Sequence, residues 1–288
     1  MRASLSRLLA QAQVLLPTRT LSWFIFCLTR ISWPWIKNVC IRSFMRAYRI
    51  SLEEAELKTP ESFKDFNDFF TRALKPGARP IEPAFDQLIS PVDGRVSQLG
   101  TLDEDRIFQA KGHRYSATEL LGGDSELAAP FHGGRFCTIY LAPHNYHRVH
   151  MPANGRLREW VYVPGRLFSV NPTSTAQLPG LFARNERMVA IFDSDLGPLA
   201  VVMVGALFVG SLETTWAGRI SPPHRRGGVD RYAPGGQIHL SRGQELGRFN
   251  MGSTVILLAG HRSLRWLDGI EAESELRMGS AIARVIDQ

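Results

Sequence analysis

Cysteine is scarce: Cys27, Cys40 and Cys137 are the only three in 288 residues. Being odd in number and widely spaced, they exclude a disulfide framework and any CxxC metal or redox motif, and they suit a reducing compartment. Long apolar runs are missing as well. The charge-free aromatic run Thr20–Thr29 is about half of the ~20 residues a spanning helix needs, and Arg30, Pro34 and Lys37 interrupt the chain immediately beyond it. No A-x-A-like site comes after that run, so neither a transmembrane helix nor a secretory signal is expected. Acidic residues are absent from residues 1–50, which carry eight Arg and Lys. That stretch holds all of the excess charge: the whole chain is +7, while residues 51–288 have 26 basic against 27 acidic side chains. An electrically neutral body offers no basic face for nucleic acid.

The first fifty residues also contain Trp23, Trp33 and Trp35, half of the six tryptophans, together with Phe24 and Phe26. A cationic, aromatic segment too short to span reads as an amphipathic anchor, its rings in the headgroup boundary and its Arg and Lys on anionic lipid. A helical layer packed on the core is the plainer alternative. Residues 1–50 are therefore set apart as a membrane-association segment and 51–288 as the domain in which the chemistry is to be sought.

Beyond the anchor, Ser51 with Glu54 has the spacing of a capping box, and Thr59-Pro60 looks like a second helix start. Phe63, Phe66, Phe70 and Leu74 then recur at helical spacing until Lys75-Pro76-Gly77, predicting a helix with a core-facing aromatic stripe. After about residue 88 the texture changes to short Val/Ile/Leu-rich runs punctuated by Gly and Pro: 135–141, 159–163, 188–192, 199–209 and 254–258. The expected fold is α+β: a β-rich, sandwich- or barrel-like body behind an N-terminal helical segment. A loose likeness of Val204-Gly205 and Val209-Gly210-Ser211 to Gly252-Ser253-Thr254 hints at two related β modules.

Three stretches of that body carry chemistry. Ser90-Pro91-Val92-Asp93-Gly94 is an Asp-Gly turn leading into a strand, and alone reads as a hairpin. Pro143-His144-Asn145-Tyr146-His147-Arg148-Val149-His150 places three histidines in seven residues. Zinc is disfavoured there, because prolines bracket the run and it has no acidic residue. Proton transfer by imidazoles of near-neutral pKa, or histidines satisfied by backbone, fit better. Gly243-Gln244-Glu245-Leu246-Gly247-Arg248-Phe249-Asn250-Met251-Gly252-Ser253-Thr254 puts a nucleophilic hydroxyl next to a carbonyl that no side chain obstructs, although many β-bulges look the same. Ser253 does not sit in a Gly-x-Ser-x-Gly elbow.

Together and in this order, the three stretches resemble the bacterial, pyruvoyl-dependent phosphatidylserine decarboxylase proenzymes. The resemblance extends to Phe63–Arg72, Gln109–Tyr115, Tyr162–Val170, Asn185–Arg187 and Val209–Gly218, and covers nearly the whole chain. Met251 stands where the family usually has Leu, a swap of similar volume. The resemblance implies self-cleavage between Gly252 and Ser253 into a β chain, 1–252, and an α chain, 253–288. It maps a Ser-His-Asp relay onto Ser253, His150 and Asp93, with Asp93 orienting the imidazole. Ser253 would become a pyruvoyl group that forms a Schiff base with the amine of phosphatidylserine, and His147 would donate the proton after CO2 leaves. It also implies a heterodimer of the two chains, a homodimer of these, and a peripheral site on the cytoplasmic face of the inner membrane, with no metal. His144 receives no role, and Arg225 and Arg226 in the stretch Ser221–Gly236 read as a solvated loop. Two other classes remain open, a metal-dependent hydrolase using the three histidines and a non-enzymatic lipid-binding protein.

Overall fold

The computed structural model describes residues 13, 16–82, 84–208, 211–221, 228–260 and 264–286, and the backbone alone of Ser253. Arg225 and Arg226 lie outside the described residues. Two helices lead: α1 (Thr18–Leu28) and α2 (Pro34–Tyr48). Proline at the first helical position starts α2, and Arg49 in the left-handed conformation ends it. Its inner face, with Ile41 and Phe44, packs on a nest formed by Phe63, Phe66, Phe69 and Phe70, where the rings meet edge to face. Trp23, Phe24, Trp33 and Trp35 point away, with Trp35 71% exposed.

The predicted helix through the aromatic stripe is shorter than expected. Thr59-Pro60 opens only a single turn, Pro60–Ser62, and α3 (Phe66–Phe70) starts at Asp65, whose carboxylate accepts from Asp68 N at 2.8 Å. The capping box at Ser51 does not form either. Glu54 is drawn instead to Arg79 (2.8 Å) and Arg277 (2.6 Å), and Ala55 bridges to Leu74. The stripe itself is core: Phe63, Phe66, Phe69 and Phe70 are all buried.

The body is β-rich. The strands that matter for the site are β1 (Gly94–Thr101), β2 (Arg135–Leu141), β3 (Arg148–His150), β4 (Gly155–Val163), β5 (Arg187–Ser194), β6 (Gly197–Val204), β7 (Ser211–Thr214), β8 (Glu245–Asn250) and β9 (Ser253–Ala259). Among the described residues, a nine-stranded antiparallel sheet has β4, β5, β6, β9, β2 and β1 side by side, with Asp230–Tyr232 at one edge and Glu275–Leu276 at the other. Within it β5, β6 and β9 are buried almost throughout, so these segments read as continuous apolar runs rather than as alternation. The sheet stays open and is not a closed barrel. Of the stretches likened in the sequence, Val204 lies opposite Thr254 in this sheet, Ser211 lies in the smaller sheet opposite Asn250, and Val209-Gly210 lie outside the described residues.

A smaller sheet runs Gly218–Arg219, β7, β8, β3. Its apolar residues Leu212, Leu246, Phe249 and Val149 share one core with the large sheet. Gly247 is dictated by the pairing of β7 with β8: a Cβ there would stand 2.3 Å from the Glu213 carbonyl oxygen.

Candidate active site

Two connections pass from one sheet to the other at the same place. The chain leaves β2 of the large sheet through residues 142–147 and enters β3 of the small one. Conversely, β8 of the small sheet turns at Met251-Gly252 into β9 of the large one, and Ser253 pairs with Leu141 at the end of β2. The second crossing takes an unusual backbone. Met251 has φ +92° and Gly252 φ +46°, so a side-chain-bearing residue is held in the region that favours glycine, a strain on the order of 1–3 kcal/mol. Gly252 faces open space, with no atom within 4 Å of where a Cβ would stand. It and Met251 line a largely apolar cavity of about 270 Å³, walled by Phe44 and Tyr48 of α2, Phe70 of α3 and Phe208.

The histidine run forms the other connection, whose Pro143 lines the same cavity while His144, His147 and His150 do not. His147 is fully buried, stacked on Phe70 with ring centroids 3.9 Å apart. Its Nε2 lies 3.4 Å from the Pro143 carbonyl oxygen, and its Nδ1 has no partner. A carbonyl only accepts, so Nε2 carries the hydrogen and Nδ1 a bare lone pair. Burial first, and then the charge of Arg72, push the His147 pKa down to about 3. His150 donates from Nδ1 to the Gly243 carbonyl at 2.8 Å, which leaves Nε2 to accept from the Tyr146 hydroxyl at 2.9 Å. Burial lowers its pKa as well, although the Gly243 bond works in the opposite direction. His144 is exposed.

Asp93 is close without being bonded to His150. The backbone N–H of His150 donates to Pro91 O at 2.8 Å, tying β3 to the Asp93 turn. The Asp93 carboxylate, however, is taken by Arg79, through Nε at 2.8 Å and Nη2 at 2.5 Å, and by the Met278 N–H at 2.9 Å. The expected orienting hydrogen bond from Asp93 is therefore replaced: Gly243 fixes the tautomer of His150, and Asp93 acts on that ring only as a nearby charge. Burial works against the charge of Arg79, but Asp93 and Glu54 more than offset it and raise its pKa.

A sequence model of phosphatidylserine decarboxylase matches residues 66–284, three quarters of the chain, and a second, PSD, matches residues 8–49. The chain belongs to the phosphatidylserine decarboxylase family. Relatives include the phosphatidylserine decarboxylase proenzyme of Pseudomonas entomophila, 52% identical over 280 residues, covering 96% of this chain and 98% of the relative. Those of Pseudomonas putida GB-1 (51%, covering 98% and 99%) and Nitrosococcus oceani (51%, covering 97% and 92%) are similar over the same extent.

Within this member of the decarboxylase family, the crossing gathers residues to which sequence reasoning gave no part: Tyr146, Arg79, Phe70 and Arg72. Tyr146 stands inside the histidine run, but nothing in its spacing says that its hydroxyl, four residues before His150, meets that ring. Phe70 reads as core from its periodicity, and it is both core and the stacking partner of His147.

Burial of neutral His147 has a consequence for stability. A histidine that titrates near 6.5 when unfolded and near 3 when folded is protonated first in the unfolded chain, so the stability it gives above pH 6.5 is lost as the pH falls toward 3. The loss is about 1.4 kcal/mol per pH unit in that window. The Tm of a Ser253→Ala chain is expected to drop between pH 7 and 5, and His147→Gln to flatten that slope. Equal slopes in the two chains would show that His147 titrates normally.

Proposed function

We propose that the chain matures by cutting itself between Gly252 and Ser253 and then decarboxylates phosphatidylserine to phosphatidylethanolamine. The observation that carries this reading is the strained, open joint at Met251-Gly252, set between two sheets and against a cavity, with His147 at the end of the neighbouring crossing and His150 at the end of β3. In the first stage the Ser253 hydroxyl attacks the Gly252 carbonyl carbon; the peptide C–N bond breaks and an ester forms. Removal of the Ser253 α-proton then expels the Gly252 carboxylate, leaving a dehydroalanine that takes up water and releases ammonia. His150 is the base for Ser253, with the Asp93 charge favouring its protonated form. Because Tyr146 holds Nε2, its hydroxyl must give up that nitrogen, or pass a proton to it, as the reaction starts.

The residues here fit a pyruvoyl group made from Ser253, since Gly252 is unobstructed and the adjoining cavity is large enough for a headgroup. When formed, that group supplies the carbonyl that draws electrons from the substrate as CO2 departs. This chain's own residues do the rest. The backbone of Ser253 is fixed by its pairing with Leu141. Phe70 and the apolar walls exclude water, and His147 takes up a proton at Nδ1 and returns it to the substrate carbon. A proton held on so weakly basic an imidazole is readily given up.

A diacyl substrate stays in its bilayer. No helix among the described residues is long and apolar enough to cross a membrane. The exposed Trp23, Phe24, Trp33 and Trp35 on a segment without acidic residues support docking on an anionic surface, and Phe44 and Tyr48 of α2 carry that segment to the cavity wall.

The test is an intact-mass spectrum of the denatured, full-length protein, with CO2 release measured on phosphatidylserine vesicles. Two fragments meeting at Gly252/Ser253, the smaller with a pyruvoyl N-terminus, and activity that resists chelators but not carbonyl reagents, are expected. One 32.2 kDa species after incubation with the vesicles would overturn the reading. Sedimenting the same vesicles reports docking, which should weaken when Trp33 and Trp35 are both replaced by Ser.

A further inference from the structure

Arg72, two residues beyond the end of α3, is a buried cation that makes no ion pair among the described residues, with Asp93 and Glu54 acting on it only as more distant charges. It is 7% exposed. Its Nη2 donates to the carbonyl oxygens of His144 at 3.2 Å and Asn145 at 3.5 Å, its guanidinium lies 5.6 Å from the Phe69 ring centre, and its Nη1 has no hydrogen-bond partner. An unpaired buried charge is costly, and its neighbourhood shows what it serves. The strip Phe70-Thr71-Arg72 lies along the strip from His144 to Arg148 through three successive contacts. Phe70 stacks on His147, the Thr71 carbonyl accepts from Arg148 Nε at 2.9 Å, and Arg72 spans the two carbonyls of the turn that precedes His147.

We propose that Arg72 is a positioning residue for His147: it fixes the His144–Asn145 turn and, as an immobile positive charge beside a buried imidazole, keeps His147 Nδ1 free of a proton until the reaction supplies one. The inference rests on the proton-transfer role proposed above for His147. The groups that act on His147 support it. Arg72 comes from the strip after α3 and His144 from its own loop, and both disfavour a charged ring. α3 contributes the uncharged Phe70; from β8 the Phe249 N–H donates to the His147 carbonyl at 3.0 Å, and the charged Glu245 of that strand is taken by Arg148 and Arg248. No carboxylate is among the strongest influences on the ring.

Arginine and lysine separate the two halves of the proposal, because lysine keeps the charge but cannot fork across two carbonyls. In full-length Ser253→Ala chains, the imidazole resonances would be followed by NMR against pH, with His147→Gln assigning the signal. Arg72→Met is expected to raise the His147 midpoint by about one unit or more, and Arg72→Lys to leave it within a few tenths. In chains that retain Ser253, both variants should lower kcat for decarboxylation, roughly tenfold or more, with KM little changed, and only Arg72→Met should move the acid limb of the pH profile upward. An unmoved His147 midpoint in Arg72→Met would overturn the proposal. An unmoved midpoint together with a raised KM and an intact kcat would make Arg72 an anion contact for substrate instead. Should Arg72→Met fail to fold, Arg72→Gln takes its place under the same criteria. The NMR arm needs no decarboxylation, so a moved midpoint with kcat unaffected would count against the role of His147 and not against the control by Arg72.

Discussion

The Ser253→Ala chain is expected to remain a single 32.2 kDa species under denaturing conditions and to release no CO2 from phosphatidylserine above the vesicle background. On the proposed mechanism it loses both stages at once, because the hydroxyl would be the nucleophile of the first and the source of the reactive carbonyl of the second. The two histidines should separate those stages. His150→Gln removes the base assigned to Ser253 and should also leave one chain. His147→Gln should still cut at Gly252/Ser253, yet decarboxylate about 10²–10⁴-fold more slowly, the usual contribution of a positioned proton-transfer group. A cleaved His150→Gln protein would falsify the assignment of that base, and a fully active His147→Gln protein would remove His147 from the second stage.

The second large effect concerns stability. Asp93 and Arg79 form a pair whose side chains are about 10% and 8% exposed, and the same carboxylate accepts the Met278 N–H. Taking one partner from such a pair leaves a buried charge and costs about 3–5 kcal/mol. Because Glu54 remains on Arg79 Nη1, the low end applies to Asp93→Ala. On a Ser253→Ala background, where cleavage cannot interfere, this corresponds to a fall in Tm of about 6–12 °C for a domain of this size. Replacing both Asp93 and Arg79 by apolar residues should recover part of that loss. An Asp93→Ala chain with an unchanged Tm would mean that the pair does not hold the turn, and that Asp93 matters for chemistry alone.

The β strands were legible because their signal is local: runs such as Met188–Phe192 and Val255–Leu258 are apolar throughout and flanked by polar residues such as Arg187, Asp193 and Thr254. The aromatic stripe was legible as core for the same reason. The helix start at Ser51 failed because Arg79 and Arg277 hold Glu54, and the stripe's helix was overestimated because Asp65 captures the start of α3. At the site, motifs pointed to Asp93, His147, His150 and Ser253, but hydrogen bonds between segments far apart in sequence decide what each touches. Arg79 on Asp93, Gly243 on His150 and Phe70 on His147 join residues 14, 93 and 77 positions apart, and no periodicity records such pairings.

The place of β9 in the large sheet gives the proposed cut an asymmetric consequence. Ser253–Ala259 is hydrogen-bonded on both sides, to β2 and to β6, and Leu264–Trp266 and Ala281–Val285 pair with each other in a separate sheet that Gln87–Ile89 completes. A break at Gly252/Ser253 therefore severs the covalent thread without freeing the fragment, which stays interleaved with the strands it folded among. Before the cut, refolding is a unimolecular search. After it, two pieces must find each other and insert a central strand between two partners already inclined to pair or aggregate. Maturation would thus convert an equilibrium fold into a kinetically trapped one, whose thermal unfolding is irreversible and depends on scan rate, while the Ser253→Ala chain refolds on cooling.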